Sequence, residues 1–274
     1  MSIWMTTAIV LATGFLGCGV KNIEIERIPE EEKEETSAVT LLITYDNNPY
    51  DGRLRASWGF SCAVRLAKRT ILFDTGGDGR ILLSNMERLG VDPGEIDTVF
   101  LSHVHGDHTG GLASFLERNS DVTIYMPFSF PRELKAEAKL QGARVEEVQY
   151  AEEIAPGVFT TGELDGRIKE QSLVLRTPRG LVVITGCAHP GIVNIVQEAK
   201  KFGKDNVHLV LGGFHLGGAS ATQITSIIED FEELGVEKVA PCHCSGDQAR
   251  SLFKEHFGLN YIECGVGKRI RIPE

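Results

Sequence analysis

His103-Val104-His105-Gly106-Asp107-His108 sets three imidazoles and a carboxylate within one six-residue stretch. Neutral imidazole and ionised carboxylate are the donors that hold zinc and similar divalent ions, at roughly 2.0–2.2 Å. One histidine in such a stretch is ordinary; three around an aspartate make a ligand set. Ahead of it, Thr98-Val99-Phe100-Leu101-Ser102 is apolar and β-branched at its start and reads as a buried strand. Behind it, Gly110-Gly111-Leu112-Ala113-Ser114-Phe115-Leu116 reads as the entry to a helix. The cluster therefore occupies a strand-to-helix loop. On such a loop, alternation sends His103 and His105 toward one cation position, while Asp107 and His108, at the turn into the helix, face a second. A continuous helix could not do this, because residues two apart diverge around its axis.

Further segments follow in order: Leu72-Phe73-Asp74-Thr75-Gly76 before the cluster, then Gly186-Cys187-Ala188-His189 and Pro241-Cys242-His243-Cys244 after it. With its H-x-H-x-D-H loop, the chain from about Val39 to the C-terminus resembles the metallo-β-lactamase fold superfamily. That resemblance implies an α/β (α+β) fold, a four-layer αββα sandwich. It also implies a first metal site of His103, His105 and His189 and a second of Asp107, His108 and His243. One or two divalent ions are expected, zinc foremost, with manganese, iron or magnesium as alternatives. Each late histidine follows an apolar strand, Leu181 to Thr185 or Val236 to Ala240, where a sheet edge delivers a ligand. Asp74, read from its position alone, is a turn carboxylate. The resemblance makes it a support for the histidine loop, fixing a ring orientation from behind the ligands.

Many superfamily members carry a metal-bridging aspartate at the end of the strand between the last two histidine motifs. Here Val207-His208-Leu209-Val210-Leu211 runs into Gly212-Gly213-Phe214-His215, and His215 is read as the occupant. A neutral imidazole cannot bridge two cations as a carboxylate does. His215 is therefore expected to be an extra ligand or a substrate-facing catalytic acid. His208, mid-strand, is expected to be structural, and His256, in the helix expected over Gln248 to Phe257, to lie on the surface.

Asp46-Asn47, Gly59-Phe60-Ser61, His189-Pro190-Gly191-Ile192-Val193-Asn194, Gly212 to Leu216 and His243-Cys244-Ser245-Gly246 narrow the resemblance. Together they are similar to the branch containing the dihydropterin-methyl ribofuranosylaminobenzene phosphate synthase of methanopterin biosynthesis, a branch that also holds metal-dependent hydrolases. Trp58 departs from that pattern, standing where synthase-like members are expected to have histidine. The resemblance implies a hydrolase of a small phosphorylated or ester substrate, in which Asp107 helps hold the water-activating metal; His215, read as departing from the family pattern, is expected to protonate the leaving group. The alternative is a pterin-type transferase, and more distantly a non-catalytic metal-binding lipoprotein. Gly191 and Asn194, at the helix start after His189, are candidate phosphate or substrate contacts, though Pro190-Gly191 is equally an ordinary helix start.

With 42% hydrophobic side chains, the 274 residues can bury the core of one sandwich. Helical stretches at Ile81 to Leu89, Ile192 to Lys201 and Ala221 to Leu234 alternate with β-branched runs such as Val122 to Tyr125. Residues 39–274 are taken as the catalytic domain. Residues 1–20 lack charge, and Phe15-Leu16-Gly17-Cys18 resembles a bacterial lipobox. Residues 21–38 include Pro29-Glu30-Glu31-Glu32-Lys33-Glu34-Glu35 and read as an acidic linker. A cell-envelope lipoprotein or membrane-anchored location is expected, with cytoplasmic the alternative and the membrane touched only through the N-terminal segment. Setting Cys18 aside leaves an odd set of cysteines, Cys62, Cys187, Cys242, Cys244 and Cys264, so at least one thiol lacks an intramolecular partner. If the chain is extended there, Cys242 and Cys244 point away from the metal together. The net charge of −10 argues against a nucleic-acid partner, which needs a basic stripe, and for a small-molecule substrate.

Overall fold

The computed structural model describes residues 39–273; the expected export or anchoring segment, with Cys18, and the acidic linker lie outside the described residues. The first half supplies β1 (Val39–Asp46), β2 (Phe60–Leu66), β3 (Arg69–Phe73), β4 (Thr98–Phe100), β5 (Thr123–Pro127) and β6 (Arg144–Val148). Its helices are α1 (Gly79–Leu89), α2 (Gly106–Thr109), α3 (Leu112–Leu116) and α4 (Arg132–Leu140). The second half supplies β7 (Tyr150–Ala155), β8 (Val158–Gly162), β9 (Leu173–Thr177), β10 (Gly180–Thr185), β11 (Val207–Gly213) and β12 (Val236–Cys242). Its helices are α5 (Ile192–Gly203), α6 (Ala221–Glu233) and α7 (Asp247–Phe257), and β13 (Arg269–Ile272) closes the chain.

These strands form one sheet of order β13-β1-β2-β3-β4-β5-β6 and a second of order β12-β11-β10-β9-β8-β7. Strands β3 to β6 run parallel, as do β10 to β12, while the hairpin-connected strands pair antiparallel. The apolar runs fall into layers because successive side chains leave a strand on opposite faces. In β3, Ile71 and Phe73 join Leu41, Phe60, Leu173, Ile184 and Leu211 between the sheets. Leu72 faces the other way, toward Ile81, Leu82, Phe115 and Ala138 of the first-half helices. Val183 and Val210 likewise pack outward on Ile195, Ile228 and Phe253 of the second-half helices. The result is helix, sheet, sheet, helix, the expected α/β sandwich. Strands covered on both faces need continuous apolar runs, and that is what β3, β10 and β11 carry.

Two of the four edge strands are the exception. β6, with Glu146 and Glu147, and β7, with Glu152 and Glu153, lie at sheet edges and expose much of their length, where charge discourages pairing with another chain. Among the described residues no helix is long and apolar enough to cross a membrane.

Candidate metal centre

The C-terminal ends of β3, β4, β10, β11 and β12 deliver the polar loops. β4 ends at Phe100, short of the Thr98 to Ser102 reading, and α2 already begins at Gly106. His103 and His105 therefore precede the helix, His105 as its extended N-cap, while Asp107 and His108 occupy the first turn of the helix. His189 follows β10 by way of Ala188, and His243 follows β12 at once; both Ala188 and His243 hold left-handed backbone, with φ 62° and 49°. Asp74 (φ 52°) and His215 (φ 54°) do the same, so four of the five non-glycine residues of positive φ among those described lie in these loops. Such backbone costs of order 1–3 kcal/mol per residue and persists where surrounding contacts impose it.

The six expected ligands converge. His103, His105 and His189 place their donor atoms within 4.8 Å of one another, and so do Asp107, His108 and His243. His103 Nε2 lies 3.1 Å from His105 Nδ1, and His108 Nε2 lies 3.2 Å from His243 Nε2. Asp107 Oδ2 is 3.4 Å from His243 Nε2 and 3.6 Å from His108 Nε2.

Hydrogen bonds behind the rings fix which nitrogen faces inward. His108 Nδ1 donates to Asp74 Oδ2 at 2.7 Å. Ser102 donates both its backbone N–H and its hydroxyl to the same carboxylate, each at 2.7 Å. That hydroxyl's hydrogen is spent on Asp74, so His103 Nδ1, 2.9 Å away, must be the donor to Ser102 Oγ. Asp74 thus orients His108 directly and His103 through Ser102, the supporting place expected of it. His243 Nδ1 donates to Asn47 Oδ1 at 2.9 Å, with Asn47 Nδ2 returning to the His243 carbonyl and Asp46 Oδ2 accepting the His243 N–H. In neutral form, His108 and His243 therefore aim lone pairs at a common point, which only a proton or a cation can occupy. His189 Nε2 is buried with no hydrogen-bond partner among the described residues. An orphaned nitrogen and convergent lone pairs fit a divalent cation.

The electrostatics agree. Burial pulls His103 well below its ordinary value, helped by the surrounding histidines, and pulls His189 down to about 4. His108 rises, since the Asp74 carboxylate outweighs the burial of its ring. Burial would raise Asp107, yet His243 and His108 hold its carboxyl well below the usual range.

One essential group carries no motif. Glu170, fully buried, accepts the backbone N–H groups of Gly186, Cys187 and Ala188 on Oε1 and that of His189 on Oε2, at 2.9–3.0 Å. This clamp sets the loop that presents His189. The only signal in the sequence was a glutamate leading into the apolar run of β9.

Two expectations are corrected. Cys242 and Cys244 do not point the same way, because the chain turns into a 3₁₀ segment at His243–Ser245 and loses its alternation. Cys242 enters the core between the sheets, whereas Cys244 Sγ lies 3.3 Å from Cys187 Sγ. His215, for its part, does not stand at the strand's end. β11 ends at Gly213, and His215 lies beyond it, exposed, with its ring centroid 4.5 Å from that of His189. Contact with Cys244 raises its imidazole above the ordinary value.

The remaining expectations are placed as follows. His208 pairs with Glu237 at 2.7 Å and His256 with Glu232 at 2.8 Å, the first structural and the second at the surface. Gly191, at φ 91°, begins α5 without a side-chain cap, and Asn194 is half-buried in its first turn. Trp58, exposed, lies with its ring centroid 4.9 Å from that of His243. All five cysteines among the described residues are free thiols.

Residues 59–243 match the family model of the metallo-β-lactamase superfamily. A relative in Methanocaldococcus jannaschii, 7,8-dihydropterin-6-methyl-4-(β-D-ribofuranosyl)-aminobenzene-5'-phosphate synthase, is 32% identical over 82% of this chain and 92% of its own length. The solved structure of Tm1679, described as a metal-dependent hydrolase of the β-lactamase superfamily, superposes with a TM-score of 0.73 at 29% identity, covering 86% of this chain and all of that one. Ribonuclease Z of Listeria innocua is 34% identical over 55% of this chain but only 41% of its own.

Proposed function

The chain belongs to the metallo-β-lactamase superfamily, and from that premise we propose that it is a divalent-metal-dependent hydrolase of a small phosphorylated or ester substrate. The observation that carries this reading is the convergence of His103, His105, His189 and Asp107, His108, His243, each ring whose outward nitrogen is fixed turning a lone pair inward. A divalent cation held by these six side chains would supply Lewis acidity, easing deprotonation of a bound water and polarising a substrate oxygen.

The chain's own side chains do the rest. Asp74, Ser102 and Asn47 keep the donor nitrogens bare, and Asp107 balances positive charge. His215, beside His189 and open to solvent, stands where it can pass a proton to a leaving group. The uncapped first N–H groups of α5 at Gly191, with Asn194, offer a seat for a phosphate. Zinc or manganese added to metal-stripped protein should restore turnover of generic phosphodiester or ester substrates. His103→Ala and His189→Ala should abolish it, and His215→Ala should keep metal but lose most turnover.

A second reading, pterin-type transfer, is supported by the 32% likeness to the M. jannaschii synthase, while Trp58, standing where the synthase-like pattern has histidine, counts against it. Its test is release of pyrophosphate only when a pterin diphosphate and an aromatic acceptor are both supplied. The cell-envelope location inferred from Phe15 to Cys18 remains a proposal, tested by fractionating cells with Cys18→Ser.

A further inference from the structure

We propose that Cys187 supplies a sulfur ligand shared between the two cation positions, in place of the bridging carboxylate this chain lacks. The inference rests on the metal-centre reading above.

The end of β11 is Gly213, and no side chain could project from it. A Cβ built there would lie 2.4 Å from the Gly186 carbonyl oxygen, 2.7 Å from Cys244 Sγ and 3.2 Å from His243 Cδ2. The lane an aspartate would use is already filled, by that carbonyl and by the Cys244 sulfur. Cys244 in turn backs onto Cys187, whose Sγ lies 3.3 Å from His108 Nε2. Cys187 also groups with both His103 and His108, their donor atoms all within 4.8 Å of one another. His103 belongs to the first ligand set and His108 to the second, so this thiol stands between the sets.

The 3.3 Å from Cys187 Sγ to His108 Nε2 fits two ligands of one ion, and His103, of the other ligand set, lies within 4.8 Å. With Zn–S near 2.3 Å and Zn–N near 2.0–2.1 Å, two ligands of one tetrahedral ion lie about 3.5 Å apart. A thiolate has lone pairs enough for two cations, which a neutral imidazole has not. The Glu170 clamp on the Cys187 N–H fixes the backbone from which the sulfur projects. Cys244 groups instead with Cys187 and His215 and not with the six-ligand cluster, which makes it the sulfur's neighbour rather than the ligand.

The test uses the full chain, stripped with chelator under anaerobic, reducing conditions and reloaded with cobalt(II) chloride. Metal content and the near-ultraviolet thiolate-to-cobalt absorption are read together. Wild type and Cys244→Ser are expected to show that absorption. Cys187→Ser is expected to lose it and to hold the second ion at least about tenfold more weakly. X-ray absorption of the zinc-loaded wild type, which needs no variant to fold, is expected to show sulfur at about 2.3 Å. Cobalt bound by wild type without thiolate absorption, or absorption lost in Cys244→Ser and kept in Cys187→Ser, overturns the assignment while leaving the metal centre standing. Failure of wild type to bind cobalt at all overturns both.

Discussion

Asp74 is the residue on which the first six ligands most depend, since one carboxylate fixes two of their rings. Asp74→Asn keeps the volume but offers a donor where His108 and Ser102 both need an acceptor. Metal affinity is expected to fall roughly 10–100-fold, measured by competition with a chromophoric chelator. Glu170→Gln should act on the loop rather than the rings: its amide nitrogen cannot accept the N–H groups that Oε1 and Oε2 now hold. Turnover and metal retention should fall together, with little change at His103. Protonation of the stripped site has a definite sign. His189 sits at about 4 when folded against an ordinary 6.5, so the unfolded chain takes up this proton first as pH falls. Its contribution to stability is complete above about pH 6.5 and is lost toward about pH 4. Urea midpoints of the metal-free protein should therefore drop between about pH 7 and about pH 5, with a shallower drop in His189→Gln. His108, raised by Asp74, works in the opposite direction.

At the level of elements, close backbone approach is the constraint. Gly186 follows the end of β10, where any Cβ would collide with the Ser102 hydroxyl and press on Asp74 Oδ2. Gly186→Ala should disturb the Asp74–Ser102–His103 relay without touching a ligand. Reduced metal occupancy in folded protein, judged by unchanged far-ultraviolet dichroism, would show this. The strands and helices around the site were legible because their apolar periodicity is strong. The readings over Leu181 to Thr185, Val236 to Ala240 and Ile192 to Lys201 fall on β10, β12 and α5 with small shifts at their ends. β6 and β7 were not legible, since edge strands need no apolar alternation. The spacing from His103 to His108 announced four donors, and the family resemblance added His189 and His243. Glu170 did not announce itself, because it acts through backbone N–H groups and leaves no pattern beside them. Cys244 was misread because alternation was carried through a turn that left-handed backbone at His243 breaks.

For the molecule as a whole, the layer between the sheets carries the stability. Phe73, fully buried and stacked on Phe100 at 5.5 Å, links β3 and β4 directly behind the ligand loops. Phe73→Ala should cost about 3–5 kcal/mol in denaturant unfolding. A cation at one hundred times its dissociation constant should add about 2.7 kcal/mol to the stability of the wild type.

The ligand loops leave β4 in one sheet and β10 and β12 in the other. An ion seated among them acts as a rivet through the open rim of the sandwich. Prying the sheets apart at that rim then requires breaking coordinate bonds as well as parting side chains. Deuterium should enter the amides at the tips of β4 and β10 only through whole-chain opening when the rivet is in, and through local breathing once chelation has drawn it out.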